Sequence, residues 1–550
     1  MRVAGFLRRV AAAACGAAVI GAAGQAFAAS APNILLILVD DMGYSDLGSY
    51  GGEIYTHNID ELAAQGVRFT NFHTSAYCAP TRSMLMTGQD NHTVGLGNMS
   101  ELLADNQRGR PGYEGFLNGR SPTVATLLRA QGYHTYMAGK WHLGKTPETL
   151  PIGQGFEESV VLAEGGGDNF ENKSYTPGYA SLHYFEGAHP VEPPKDFYST
   201  QFYAQKMLGY IDAHAGDGKP FFGYLAFQAV HQPHQAPRSF IDRYAHVYDA
   251  GWRAIGDVRR ERQIDIGLFP PGQAASEPVS DWSRLSDDDR RTSSRRMAAY
   301  AGMVEYVDKS VGEIVAHLKA KNLLDDTVIL FLSDNGGESA ELMKLFPDYY
   351  ARNFDLSYER IGEKGSYSEY GPGWAGASMT PFSNFKGSAS EGGVRAPLIV
   401  RYPQKVAQGR VSDAFLSVVD IAPTLLELAS GKPPAAGAFF GVSMAQRLGR
   451  PAGEAAERRV FAQEVAGGAA VYDGDYKLAR NAPPFGDSRW RLYNLKRDPA
   501  ETTDLSGQDP QRVAALRAAY DRYVKENGVV ETPADYAIDA QLKKNMQRGK

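Results

Sequence analysis

Cys78-Ala79-Pro80-Thr81-Arg82 places a sulfur nucleophile and a guanidinium one helical turn apart. Pro80 suits the first turn of a helix, where its missing N–H costs nothing. Ser83 to Met86 continues that helix and Gly88 can end it. Cys78 thus stands at or just before a helix N-terminus, where free N–H groups favour an anion. Arg82 lies one turn along the same face. A reactive side chain beside a guanidinium at a helix start suits chemistry on an oxyanion. The competing reading is a buried cysteine acting as a small hydrophobe.

Other stretches carry matching chemistry. Asp40-Asp41 follows the apolar run Asn33–Val39, and Asp334-Asn335 follows the apolar run Thr327–Leu332. Carboxylate and amide oxygens at the carboxyl ends of central strands face the crevice where open α/β sheets bind ligands. Such donors, without sulfur or imidazole, select Ca²⁺ or Mg²⁺ over zinc. Lys140 and His142 are two apart, so in extended chain they share a face suited to an anion and its proton. His231 and His234 lie in a proline-held path after another apolar strand, with no companion spacing for zinc. Lys386 precedes Glu391-Gly392-Gly393-Val394-Arg395-Ala396-Pro397 and, taken alone, reads as a solvent lysine.

Cys-x-Pro-x-Arg followed by Ser-Met-Leu-Met-Thr-Gly resembles the sulfatase family. Gly139-Lys140-Trp141-His142-Leu143-Gly144, the His231 segment, Lys386 with its Glu-Gly-Gly element, and Leu492 to Glu501 are similar to further motifs of that family, in order. The resemblance, to bacterial arylsulfatases in particular, implies an α/β fold. The implied architecture is a large mixed sheet sandwiched by helices, as in alkaline phosphatase, with a smaller C-terminal domain on an antiparallel sheet. It implies that Cys78 is oxidised by a formylglycine-generating enzyme to an aldehyde whose hydrate attacks sulfur. It implies one divalent cation, Ca²⁺ first and Mg²⁺ second, held by Asp40, Asp41, modified Cys78, Asp334 and Asn335. Arg82, Lys140 and Lys386 would balance charge on the sulfuryl group. His231 would protonate the leaving oxygen, and His142 would take the proton that releases sulfate. The implied substrate is a small sulfate ester. The same site could hold a phosphodiester or phosphonate monoester, and a non-catalytic binder of sulfated glycans is a third reading.

The elements that must position these residues are legible in patterning. Asn33–Val39, Val67–Thr70, the first half of Tyr133–Gly144, Pro220–Ala229, Thr327–Leu332 and Leu398–Arg401 read as strands. Asn58–Gly66, Thr123–Ala130 and Val419–Ala429 read as helices. Ser286–Lys321 is the clearest helix, with Ser286 as cap and an apolar stripe from Met297 to Leu318. Residues 165–200 and the stretch around Gly371-Pro372-Gly373-Trp374 read as loops, in which Tyr175, Tyr179, His183 and Tyr184 could line a pocket. After a Pro- and Gly-rich stretch, four short strands in meander spacing and a closing helix, Asp509–Asn527, suggest a second domain. The expected layout is a signal peptide at 1–28, a catalytic domain at 31–435 and a small domain at 436–550.

Composition sets the outer bounds. The 550 residues are 43% hydrophobic and 22% charged, with net charge -6. This is globular and carries no broad electrostatic footprint for nucleic acid. Arg2, Arg8 and Arg9 before a small apolar run, then Ala26-Phe27-Ala28, read as an export signal to the periplasm or exterior. No stable membrane anchor is expected beyond it. Of the 2 cysteines, Cys15 lies in that signal, so Cys78 would be left without a disulfide partner.

Overall fold

Seven consecutive buried residues, Asn33–Val39, form the axis of the molecule. The computed structural model describes residues 31–449 and 458–548, so the expected signal peptide and Cys15 lie outside it. Asn33–Val39 pairs in parallel with Phe221–Ala226 on one side and Thr327–Ser333 on the other. His134–Lys140 and Glu158–Leu162 extend the parallel block. On the far side of Thr327–Ser333, Leu398–Arg401 and Val67–Phe69 pair antiparallel, and Arg410–Ser412 closes that edge. The hairpin Tyr184–Glu186 and His189–Val191 closes the other, giving a mixed sheet of 10 strands.

Both faces of this sheet must be covered, because its central strands are apolar throughout. Leu35, Ile37 and Val39 pack with Tyr203 and Met207 of the helix Ser199–His214 and with Val304 and Val307 of the helix Asp287–Ala320. The alternate residues Ile34, Leu36 and Leu38 point the other way and are equally buried. Ser286 caps the long helix as expected, its side chain accepting from Asp289 N–H.

Several local expectations change. The first helix runs His57–Ala64 with Thr56 at its start, because Asn58 donates its side chain to Asp308 instead. Residues 165–200 are not all loop: alternating Tyr184–Glu186 and His189–Val191 pair across a two-residue turn. Gly371–Ser378 is a helix, with its tryptophan fixing it against Trp252 and Trp282. Among the described residues, no helix is long and apolar enough to cross a membrane.

The C-terminal meander forms as read, with Val460–Val465, Gly468–Asp473, Tyr476–Arg480 and Arg491–Asn494 antiparallel in that order. It lies in the same compact unit as the large sheet. Its helix is Pro510–Asn527, capped by Asp509, but a further helix, Ile538–Arg548, follows it. Two buried charge clusters join the small sheet to segments outside it. In the first, Glu391 accepts from His73 and Arg395 at 3.0 Å each, from Tyr472 at 3.1 Å and from Lys477 at 2.9 Å. Against the cost of burial, Lys477 and His73 hold its carboxyl well below the usual range.

In the second cluster, His92 bonds Asp90 at 2.9 Å and Glu464 at 3.0 Å, while Tyr523 of the C-terminal helix donates to Asp90 at 2.8 Å. Burial opposes the charged imidazole, but Asp90 and Glu464 outweigh it and raise His92 from 6.5 to about 9.

Both clusters predict measurable stability effects. Glu391→Ala takes the carboxylate from buried Arg395, leaves Lys477 with Glu501 alone, and should cost roughly 3–5 kcal/mol in urea unfolding; a loss under 1 kcal/mol would show that the cluster is not a structural tie. For His92 the folded pKa lies above the unfolded one. Its contribution, on the order of 3 kcal/mol, is therefore full below about pH 6.5 and lost as pH rises through about 9. Urea midpoints across that range should fall in the wild type and change less in His92→Gln; equal slopes would contradict the assignment.

Candidate active site

Strand register brings the site together. Val39 is level with Ser333, and Leu38 with Ala226, which is level with Gly139. Asp40, Asp334 and Lys140 therefore leave the sheet side by side. Gly139 is required there: it has φ 125°, and a Cβ would fall 1.8 Å from Ala226 O. Lys140 Nζ reaches Asp40 Oδ2 at 2.6 Å. The helix Cys78–Thr87 starts in this crevice and ends at Gly88 with φ 64°, as its sequence implies. Arg82 extends from it to Asp334 Oδ2 at 2.8 Å, to Lys140 O at 2.8 Å, and to within 3.5 Å of Asp40 Oδ1. Asp41, at φ 61°, accepts from Asn335 Nδ2 at 2.6 Å and from Lys386 Nζ at 2.7 Å. Its own N–H donates to Asp334 Oδ1 at 3.1 Å.

Every sequence-derived site residue meets here except as noted below. Asp40, Asp41 and Cys78 offer ligand atoms within 4.8 Å of one another. Asp40 Oδ1 and Asn335 Oδ1 are buried without a hydrogen-bond partner. Two orphaned oxygens beside two further carboxylates fit a hard cation bound by oxygen. Burial pushes Asp40 well above its ordinary value even beside Lys140. Asp334 also bears the cost of burial, yet Arg82 and Lys140 hold it low. Burial pushes the Cys78 thiol up to about 12, so as a plain cysteine it is a weak nucleophile at neutral pH.

The shared face expected for Lys140 and His142 does not exist. His142 has φ 60°, so the chain turns after the strand and brings the ring to the cavity by a different route from the lysine. It packs so closely on Gly165 that a Cβ there would lie 2.7 Å from its Cε1. Burial, then the charge of Lys140, holds His142 well below 6.5, so its neutral form can accept a proton. His231 is also held well below 6.5, by burial and then Lys386. Its Nδ1 donates to Gln232 O at 2.5 Å, which turns Nε2 toward Asp41 at 3.5 Å. His234 is instead packed edge-on against the stacked rings of Tyr300 and Tyr370.

Cys78, His142, His231 and Lys386 open on a cavity of about 610 Å³. Tyr175 and Tyr179 line it; His183 and Tyr184 do not, since His183 turns to Glu164 and Tyr184 packs on Phe197. Sequence reasoning missed Glu338, 2.8 Å from Lys386 Nζ, although it directly continues Asn335-Gly336-Gly337. It also missed Glu101 and the Ile538–Arg548 helix, which no motif marks.

The cation assignment is testable without turnover. Chelator-treated protein should bind one equivalent of Ca²⁺ or Mg²⁺ by calorimetry, and at 100 times Kd gain about 2.7 kcal/mol of stability. Asp40→Asn and Asn335→Ala should each weaken binding by about tenfold or more. No saturable binding in the wild type would remove the metal from the site.

Comparison with known proteins identifies the family. Residues 32–432 match the family model described as sulfatase, and residues 386–524 match one described as N-sulphoglucosamine sulphohydrolase, C-terminal. The chain is 37% identical over 537 residues to an uncharacterized sulfatase of Schizosaccharomyces pombe, covering 92% of this chain and 96% of that protein. It is 34% identical over 409 residues to an arylsulfatase of Klebsiella aerogenes, covering 73% and 87%. Its fold is similar to the solved structure of Ps i-CgsB, with TM-score 0.64, 24% identity and coverage of 94% and 98%. The chain belongs to the sulfatase family.

Proposed function

We propose that the protein is an arylsulfatase: it hydrolyses sulfate monoesters with an aryl or comparable leaving group, after Cys78 has been converted to formylglycine. The observation that carries this is the setting of Cys78. It opens a helix, faces the cavity, and shares it with neutral His142 and His231 and with charged Lys386. A lone buried thiol of that kind is poorly suited to attack, whereas the residues around it are arranged for an anion and its protons. The name of the Klebsiella aerogenes relative supports the arylsulfatase reading.

Formylglycine hydrate would supply the attacking oxygen and, through its second hydroxyl, the route by which sulfate leaves. A divalent cation, Ca²⁺ first and Mg²⁺ second, would polarise a sulfate oxygen. Arg82 and Lys140 fix two of the carboxylates that would hold that cation, Asp334 and Asp40. Lys386, kept charged by Asp41 and Glu338 against the cost of burial, balances the sulfuryl group. The leaving oxygen takes its proton on the His231 side, where the charge of a bound sulfate would raise the proton affinity of the imidazole. His142, being neutral, accepts the proton whose removal allows the carbonyl to reform and sulfate to depart. A formylglycine-generating enzyme is the implied maturation partner.

Mass analysis of the tryptic peptide Phe69–Arg82 from the native host should show an aldehyde at Cys78 in place of the thiol. The mature enzyme should turn over aryl sulfate faster than aryl phosphodiester. An unmodified thiol with bound but unhydrolysed sulfate would favour the binder, and a faster phosphodiester reaction the phosphodiesterase. Because His142 must be neutral and its pKa is depressed, kcat should hold as pH falls to 6.5 and drop only at more acid pH. His142→Ala should give one rapid turnover and then stall; a uniform slowing without a burst would argue against its role in sulfate release.

A further inference from the structure

The helix Ile538–Arg548 is built into the wall of the catalytic cavity. Ile538, Leu542 and Met546 recur every four residues, which places three apolar side chains on one face, and all line the cavity together with Asp539. The helix is tied to the segment 101–105. Lys544 and Arg548 reach Asp105 at 2.8 and 2.7 Å. Asn545 Nδ2 donates to Glu101 O at 2.9 Å and to Leu103 O at 3.0 Å, and Gln541 donates to Leu103 O at 2.8 Å. The segment so held returns Glu101 and Leu102 to the same cavity. Two distant parts of the chain thus make one wall.

The charge of that wall is one-sided. The two lysines that line the cavity are already paired: Lys386 with Asp41 and Glu338, and Lys344 with Glu341 at 2.6 Å. Glu101 accepts from Tyr179 at 2.5 Å, and its Oε2 is buried with no partner. The charged neighbour of Asp539 is another carboxylate, Glu338. A second anionic group on a leaving group would meet two carboxylates and no spare cation.

We propose that this wall sets the substrate class, admitting sulfate monoesters whose leaving group is apolar and carries no further anionic charge. The proposal rests on the sulfate-ester reading of the site. It assigns Leu542, Met546, Asp539 and Glu101 to leaving-group selection, and it disfavours multiply sulfated sugars.

The test uses 2-naphthyl sulfate and its 6-sulfonate analogue, which share a ring system and differ by one charge. Binding is measured by calorimetry at pH 8 on Ca²⁺-loaded Cys78→Ala protein, and kcat/KM on the matured enzyme. The singly charged ester should be preferred by about tenfold or more. Asp539→Asn and Glu101→Gln should each narrow that ratio about threefold, and Asp539→Lys should narrow it further. Leu542→Ala with Met546→Ala should weaken naphthyl sulfate relative to phenyl sulfate. Each ratio compares two ligands of one variant, so partial loss of folded protein cancels. A ratio near one with the intact wall, or one that none of the charge variants moves, overturns the proposal. If neither ester is hydrolysed but the binding ratio shifts as stated, the wall is upheld and the hydrolase reading is what fails.

Discussion

Three carboxylates, Asp40, Asp41 and Asp334, are buried together at the carboxyl ends of two adjacent parallel strands. Their mutual repulsion in a poorly solvated interior would push the strand ends apart unless it were balanced. The balance comes from far along the chain. Arg82 is delivered by a helix start and aimed at Asp334 and Asp40, Lys140 by a strand end and aimed at Asp40, and Lys386 by the loop before Glu391 and aimed at Asp41. The remaining oxygens, Asp40 Oδ1 and Asn335 Oδ1, are left for a cation. Positions that the sheet register sets therefore decide at once which oxygens are left for a cation and which basic side chains face the carboxylates.

This arrangement also explains why the small sheet matters to the site. Lys386 lies five residues before Glu391, and Glu391 is gripped by Tyr472 and Lys477 of the C-terminal meander. The loop that carries the lysine is thus held from both sides: Asp41 at one end and the small sheet at the other. His92 and Tyr523 make a second tie some way off, through Asp90 and Glu464. The C-terminal residues then continue past the meander and its helix to build the cavity wall with Ile538–Arg548. A segment with no catalytic motif of its own thus supports the site and forms one wall of its cavity.

The two histidines show how environment divides roles between like side chains. Both are buried beside lysines, and both are held neutral. His142 has an unpartnered Nδ1, whereas Nδ1 of His231 is engaged by Gln232 O, so Nε2 alone faces the reacting region.

The sequence by itself determined the chemistry-bearing residues and most of the strands around them. Asn33–Val39 and Leu398–Arg401 are read residue for residue because a doubly buried strand is a continuous apolar run. Pro80 and Gly88 bracket the Cys78 helix because their backbone preferences are local. What the tertiary structure alone decided depends on contacts between distant residues. His142 leaves the extended path through a positive φ that no local signal announces. Gly371–Ser378 is helical, against the pull of its glycines and proline, because Trp374 anchors it among other tryptophans. Glu101 and the Ile538–Arg548 helix reach the cavity only because the chain folds its end back over its beginning. Local preference can place a nucleophile at a helix start; only long-range packing can choose the wall that stands opposite it.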